Sequence, residues 1–322
     1  MATVFESGTT ALAIPDQRLV DRAREYTAAA RAHSTRRIYR TFWLQFEAWA
    51  TDRGRSYLPA DAETVALYLA HLAESYKTAT IRLKMSAIAA AHKAAGLPSP
   101  LVSPIVARVW AGIRREKGCA PHQKAAMMTD ALRVMLAQLP NGKRGVRDRA
   151  LVLLGFAGGF RRSEIVGLNF EDVAFTSDGA IVTIRRSKTD QEGEGRTVGI
   201  PFGSNPRTCP VRALRELADQ LGSIAGEPLF PEITRHGKVT GRRASGQAVA
   251  RCVQRLARAA GLDPTRYGGH SLRSGLATQS AANGASLSAI ASQTGHHSLE
   301  MVQRYIRPTT LFDDNPATRL GL

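Results

Sequence analysis

The sequence predicts a mainly α protein of two domains, the first all-helical and the second mostly α with a small antiparallel β element. Three observations predict it. Apolar residues recur at spacings of three and four through much of the first 118 positions, as they do on one face of a helix. A stretch of helix breakers and polar residues, Gly118-Cys-Ala-Pro-His-Gln-Lys124, then interrupts the pattern and marks a junction. Beyond it, two short β-branched runs, Ala180-Ile-Val-Thr-Ile184 and Arg196-Thr-Val-Gly-Ile200, stand between helical segments. A chain of 322 residues, 43% of them hydrophobic, is long enough to build two cores.

In order, residues 1–33 are Ala-rich and weakly patterned and are expected to be weakly ordered. Residues 34–118 form the helical domain. Ser34 opens its first helix, with Ile38, Phe42, Phe46 and Trp49 on one face and an end near Gly54. Asp61 begins the next, with Val65, Tyr68, Leu69 and Leu72 on its apolar face. Residues 78–95 make a third that stops at Gly96-Leu-Pro98, and a fourth runs from Pro104 to Lys117. Residues 119–127 read as the linker and 128–307 as the second domain. There Thr129 is expected to cap a helix reaching Leu139, residues 146–156 form an apolar helix, and another helix begins near Arg162. The β-branched runs pair as a hairpin with Lys188 just past the first strand. From Cys209 the pattern is helical again, with breaks at 222–231 and 234–241, and residues 308–322 form a C-terminal tail.

Lys and Arg number 44 against 27 Asp and Glu, a net charge of +17. Such a surplus calls for a polyanionic partner, nucleic acid first. No apolar run approaches the length of a membrane span, so no membrane partner is expected. Met1 to Ile14 does not read as a secretory signal, and the expected compartment is the cytoplasm. Cys119, Cys209 and Cys252 are scattered singly, which disfavours a disulfide framework and a zinc site. His296 and His297 are adjacent, and adjacent side chains diverge, so no metal is assigned; nor is there a phosphate-cradling loop for ATP. No cofactor is expected.

The basic residues are not evenly spread. From Ile233 to Leu262 there are seven Lys or Arg and no acidic residue, an asymmetry that release of counterions from phosphates explains better than a solvated face does. Arg242, Arg243 and Arg255 belong to this run. Gln247 and Arg251 fall on one face near the start of its helix and are candidates for reading bases. In the first domain, Arg36, Arg37 and Arg40 on one helix and Lys77, Arg82 and Lys84 on another predict a second cationic surface. Two basic domains joined by a basic linker are expected to close as a clamp around DNA.

The chemistry-bearing residues are His270, Arg273, His296 and Tyr305, at intervals of 3, 23 and 9, with Arg161 far upstream in Gly158-Gly-Phe-Arg161-Arg-Ser-Glu164. Breaking a phosphodiester with side chains alone requires a nucleophile, fixed positive charge for the crowded phosphorus and a proton donor for the leaving oxygen. A phenol, two guanidinium forks and two imidazoles supply that kit if folding brings them together.

With Arg-Ser-Lys188-Thr, Gly-His270-Ser-Leu-Arg273, Thr-Gly-His296-His-Ser and Gln-Arg-Tyr305 added to the Arg161 motif, the chain resembles the tyrosine recombinases, or phage integrase family, over roughly residues 130–310. The helical region resembles that family's core-binding domain. The resemblance implies a site-specific recombinase that cleaves and rejoins strands without metal or ATP, through a 3′-phosphotyrosyl bond to Tyr305. Arg161 and Arg273 would bind the scissile phosphate and Lys188 would protonate the leaving oxygen. His270 would act as base or hydrogen-bond donor and His296, where most of the family has histidine, as a second donor. Glu164 would orient Arg161 or the histidine, or simply cap its helix.

It further implies a homotetramer on double-stranded DNA with inverted-repeat sites, monomeric or weakly associated when free, exchanging strands through a Holliday junction, in the nucleoid of a bacterium or as a phage product. The tail, with Leu311, Phe312, Leu320 and Leu322, would dock on a neighbouring subunit. Two alternatives stand beside this reading: a non-catalytic sequence-specific DNA-binding protein, and strand relaxation of the type IB topoisomerase kind.

Overall fold

The computed structural model describes residues 17–29, 33–119, 123–187, 190, 193–306 and 320, and the chain divides into two units, residues 1–122 and 123–322. The first unit holds α1 (Gln17–Ala29), α2 (His33–Asp52), α3 (Ala62–Ser75), α4 (Thr78–Ala94) and α5 (Pro104–Lys117). The last four match the predicted helices. Within the segment 1–33, expected to be weakly ordered, residues 17–29 form the helix α1; residues 1–16 and 30–32 lie outside the described residues. Leu19, Val20, Ala23 and Tyr26 recur at helical spacing along α1, although Leu19 and Tyr26 are exposed, and it carries local pairs, Arg22 with Glu25 and Arg24 with Asp21.

Asp61 caps α3 by accepting the Thr64 amide at 2.6 Å, and this bond holds its carboxyl below the usual carboxylate range. α2 packs on α4 and α3 on α5 around Phe46, Tyr68, Leu69, Ile81, Ile88 and Val106. Ile38 lies outside this core, at 42% exposure, because the buried face of α2 runs through Phe46 and Ala50. His92 is fully buried: its Nδ1 donates to the Ile88 carbonyl at 2.9 Å and its Nε2 accepts the Ala60 amide at 3.0 Å. The ring is a tie between α4 and the segment before α3.

The second unit holds α6 (Thr129–Ala137), α7 (Lys143–Ala157), α8 (Arg162–Gly167), β1 (Val173–Phe175), β2 (Gly179–Ile184), β3 (Arg196–Pro201), α9 (Pro210–Leu221), β4 (Pro231–Ile233), β5 (Val239–Arg243), α10 (Gly246–Ala259), α11 (Gly269–Ala282), α12 (Leu287–Thr294) and α13 (Leu299–Gln303). α7 is the central element. It is buried along Val146, Ala150, Leu151, Leu153 and Leu154 and packs on α9 and α11. β2 pairs antiparallel with β3, as predicted, and Ala180↔Ile200 and Val182↔Val198 point their side chains into the same core. β1 adds a third strand, and β4 and β5 form a second hairpin where the sequence reads only as a break in helical pattern. These strands are three to five residues long, too short for a period of two to register.

Two further boundaries move. The predicted linker reaches residue 127, yet the Ala125 amide donates to the Arg266 carbonyl at 2.7 Å and the Met127 amide to the Ser271 carbonyl at 2.9 Å, with Met127 fully buried. Residues 125–127 are therefore an extended strap of the second unit. Gly275 makes room for it, since a Cβ there would sit 2.1 Å from the Met127 carbonyl oxygen. The N-cap of α6 is Met128 and not Thr129. The tail, residues 308–322, lies outside the described residues apart from Leu320.

Candidate active site

α7 runs out at Ala157, and Gly158-Gly159 turns the chain so that Phe160 enters the core and Arg161 becomes the N-cap of α8. Glu164, buried in the first turn of α8, does both things foreseen for it. One carboxylate oxygen accepts the Arg161 amide at 2.8 Å and the other its Nη1 at 2.7 Å, so capping the helix and orienting the guanidinium are one act.

Arg273 stands on the second turn of α11, fully buried. Its Nη1 donates to the carbonyls of Gly159 at 2.7 Å and Thr294 at 2.6 Å. Its Nη2 lies 2.9 Å from His296 Nε2. Burial, and then the neighbouring Arg161, push its pKa down to about 10, which leaves it charged at neutral pH.

His296 follows the end of α12. A guanidinium only donates, so His296 Nε2 must accept from Arg273 and the ring proton sits on Nδ1, which donates to Thr294 Oγ1 at 2.7 Å. Thr294 passes its own hydrogen to the Ile290 carbonyl at 2.6 Å. Burial first, and then Arg273 and Arg161, push the imidazole down to about 4, so it is neutral here.

Tyr305 follows α13, half-buried, with its ring centroid 4.7 Å from that of His296, 6.1 Å from that of His270 and 5.5 Å from the Arg273 guanidinium carbon. Its amide donates to the Val302 carbonyl and its carbonyl accepts the Thr278 hydroxyl, so its backbone is fastened to α13 and α11. His270, in the first turn of α11, is exposed beside it.

Five of the six residues proposed from sequence as catalytic thus converge, although they lie on four separate segments. Lys188 lies outside the described residues. Among the described residues before β3, the Asp190 carboxylate accepts the amides of Gly193, Glu194 and Gly195 at 2.8, 3.0 and 2.9 Å and is held below its ordinary range, most by Gly195. A pocket lined by Ser187, Asp190, Arg196 and His296 puts this stretch beside the site. Three guanidiniums, those of Arg161, Arg196 and Arg273, surround one carboxylate and a neutral imidazole, an arrangement built to receive an anion. Among the described residues no group of three or more His, Cys, Asp or Glu is placed to hold a metal ion.

Arg196 and Thr294 escape a motif search. Arg196 nevertheless has a sequence signal: it shares strand parity with Val198 and Ile200, both buried, and so must point inward.

The proposed DNA contacts divide. Arg36, Arg37 and Arg40 on α2, and Lys77 and Arg82 at the start of α4, are exposed. Gln247 and Arg251 are exposed one turn apart on α10, and Arg242 is exposed beside Glu232 at 3.1 Å. Lys84 is a correction: it is 2% exposed, bonded to Gln45 and set over the rings of Phe42 and Tyr76 at 4.8 and 4.7 Å. Two residues past Arg82 is about 200° around a helix, so the pair cannot share a face. Arg243 is exposed as well, while its Nη1 donates to the carbonyls of Val166 and Leu168 at 2.7 and 2.8 Å, which closes the end of α8. Arg255 is a second correction, since its guanidinium is paired with the fully buried Asp148, which also pairs with Arg147 at 2.7 Å.

A phenol, two arginines and two imidazoles brought together are the groups of a tyrosine-type DNA strand transferase. The comparisons agree. Residues 126–311 match the phage integrase family model, and residues 25–96 match the phage integrase N-terminal SAM-like domain. The chain is 36% identical over 310 residues to an integrase/recombinase xerD homolog of Selenomonas ruminantium, covering 95% of this chain and 90% of the relative. It is 27% identical to recombinase cre of Escherichia phage P1, covering 81% and 80%. Two solved structures share the fold. One is the XerH site-specific recombinase bound to palindromic difH substrate after cleavage, with a TM-score of 0.64, 18% identity and coverage of 88% and 77%. The other is a lambda integrase dimer bound to a COC′ core site, with a TM-score of 0.61, 18% identity and coverage of 91% and 77%. The chain belongs to the phage integrase family and is a tyrosine site-specific recombinase.

Proposed function

We propose that this recombinase cuts each strand by attack of Tyr305 Oη on the scissile phosphorus, forming a 3′-phosphotyrosyl bond as the P–O5′ bond breaks. The observation that carries this assignment is the convergence of Arg273, His296 and Tyr305, with 2.9 Å between the first two and 4.7 Å between the rings of the last two. Arg161 and Arg273 hold the non-bridging oxygens. The phenol's proton passes to His270, and Lys188 delivers a proton to O5′. The negative phosphate offsets the depression of His296, whose ring then takes a second proton and donates from Nε2 to a phosphate oxygen. Glu164 orients Arg161. Rejoining is the reverse step with a partner strand's 5′-hydroxyl, and because the phosphotyrosine keeps the bond energy it needs no ATP.

Both units are proposed to grip one duplex, the first through Arg36, Arg37, Arg40, Lys77 and Arg82 and the second through Arg242, Gln247 and Arg251. The assembly is a homotetramer on two inverted-repeat sites, exchanging strands in two pairs through a Holliday junction in the bacterial nucleoid. The tail would seat on another subunit, and an apolar groove lined by Leu132, Phe156, Phe202, Leu276 and Ile290 offers a place for it. No helix among the described residues is long and apolar enough to cross a membrane.

The test is covalent trapping. A library of nicked duplexes that lose the 5′-hydroxyl fragment is incubated with wild type and with Tyr305→Phe. Denaturation-resistant adducts from wild type alone, enriched for one inverted repeat, are the expected result. Adducts without sequence preference would point to strand relaxation, and none at all to a DNA-binding protein.

A further inference from the structure

We propose that Arg196 is a positioning residue of the catalytic site, holding in register the two groups that aim the phosphate-binding arginines. It rests on the assignment of Arg161 and Arg273 to the scissile phosphate. Arg196 opens β3 opposite Ile184, at the base of the loop that carries Lys188. Its side chain points inward across the Phe160 ring at 5.7 Å.

There it meets three acceptors. Nη1 donates to the Gln293 carbonyl at 3.1 Å, and Nη2 reaches the Thr294 carbonyl at 3.5 Å and Glu164 Oε2 at 3.7 Å. The second and third of these matter most, because each is shared. The Thr294 carbonyl also receives Arg273 Nη1, and Glu164 also receives Arg161 Nη1. One guanidinium thus touches both supports of the phosphate-binding pair.

The local backbone is shaped to it. Gly295 has φ +66°, a left-handed conformation that ends α12, and a Cβ there would lie 2.7 Å from Arg196 Nε. The last carbonyls of α12 carry the negative end of the helix dipole and suit a cation. The arrangement also answers a charge problem. Glu164 is buried, and when phosphate draws Arg161 toward itself the carboxylate would lose part of its compensation. Arg196, on the other carboxylate oxygen, retains it. A lysine would not serve, because one ammonium does not span two carbonyls and a carboxylate.

The experiment uses the full chain and the duplex selected by trapping, in two forms: the natural phosphodiester, and a neutral methylphosphonate at the scissile position. Wild type, R196A, R196K and R161A are compared by covalent adduct rate at saturating enzyme, noncovalent affinity and thermal melting. R196A is expected to lose about 100-fold in adduct rate on the phosphodiester, the scale of a small misplacement of reacting groups, with affinity unchanged. R196K recovers only a small part. The R196A loss shrinks on the methylphosphonate, as that of R161A does, because guanidinium placement matters less where no charge has to be neutralised. An R196A enzyme that cleaves at the wild-type rate, or that loses equally on both substrates, would overturn the proposal. If instead R161A keeps full activity on the phosphodiester, the assignment of Arg161 fails, so the two failures are distinct. Should R196A not fold, R196K and R196Q carry the same comparison.

Discussion

Each unit buries a histidine, and both rings are bonded in the same sense, with Nδ1 donating and Nε2 accepting. His92 donates to a helix carbonyl and accepts from a backbone amide, with no charged partner on the ring. His296 donates to a threonine hydroxyl and accepts from a guanidinium that is itself beside two others. The first is locked by groups that have nowhere else to go. The second is held by a cation whose preferred partner is an anion, so on the proposed mechanism its bonds exchange when the scissile phosphate binds. Burial and residue type therefore do not separate a structural histidine from a working one; the charge of its neighbours does.

The largest effect that bears on this contrast comes from Tyr305→Phe, which is expected to abolish covalent adducts while leaving DNA affinity and melting at wild-type level. If the unit melts early, the phenol is part of the packing. Next, Arg273→Ala should lower the cleavage rate by about 1000-fold, the scale of removing a preorganised donor to a developing charge. Single-turnover adduct kinetics give the number directly.

The two histidines then separate. His92→Ala should cost about 2 kcal/mol in urea unfolding, since it leaves the Ala60 amide buried without an acceptor, yet spare the cleavage rate of the folded fraction. His296→Ala also orphans a buried donor, Arg273 Nη2, so it too should lower stability; what separates the two is that it should lower the cleavage rate of the folded fraction as well, and a rate no more affected than that of His92→Ala would erase the distinction.

A pH series sharpens the comparison. The His296 pKa is lowered from 6.5 to about 4 in the free protein. Above pH 6.5 the ring is neutral folded or unfolded; between 6.5 and 4 the unfolded chain takes up a proton that the fold refuses, so stability falls as pH drops through that window, by about 2 kcal/mol between pH 7 and 5. His296→Gln should flatten that decline, and nitrogen NMR should show a proton on Nδ1 at pH 7. DNA binding should raise the ring's pKa. The smallest effect is electrostatic: Arg82→Ala should reduce the slope of log affinity against log salt by about 1, whereas Lys84→Met should leave it unchanged.

Much of the molecule is legible in its amino-acid sequence. α2 to α5 carry apolar faces and end signals, and α7 contains the apolar run Ala150 to Leu154, so local rules find them. Tyr305, Arg273, His296, His270 and Arg161 announce themselves by residue type and by motif. Other features are hidden for physical reasons. The apolar face of α1, through Leu19, Val20, Ala23 and Tyr26, is short and lies in an Ala-rich stretch, and β4 and β5 are too short to show a period. Lys84 and Arg255 count as surface charge in any tally, yet they are engaged by Gln45 and by Asp148. Arg196 is legible in principle from strand parity, but only its partners give that inward direction a purpose.

By itself the sequence determined α2 to α5 and α7, a junction within residues 118–127, the cationic character and the identity of the groups able to do chemistry. All of these depend on interactions within a few residues or on composition. Only the tertiary structure decided which cations are free, which tautomer His296 adopts and how Glu164, Arg196 and Thr294 hold the arginines. Most of those outcomes depend on pairs separated by tens to more than a hundred positions, as Arg273 is from His296 and from Gly159, although Glu164 meets Arg161 only three positions away. A charge has no fixed role until the fold has chosen its neighbour.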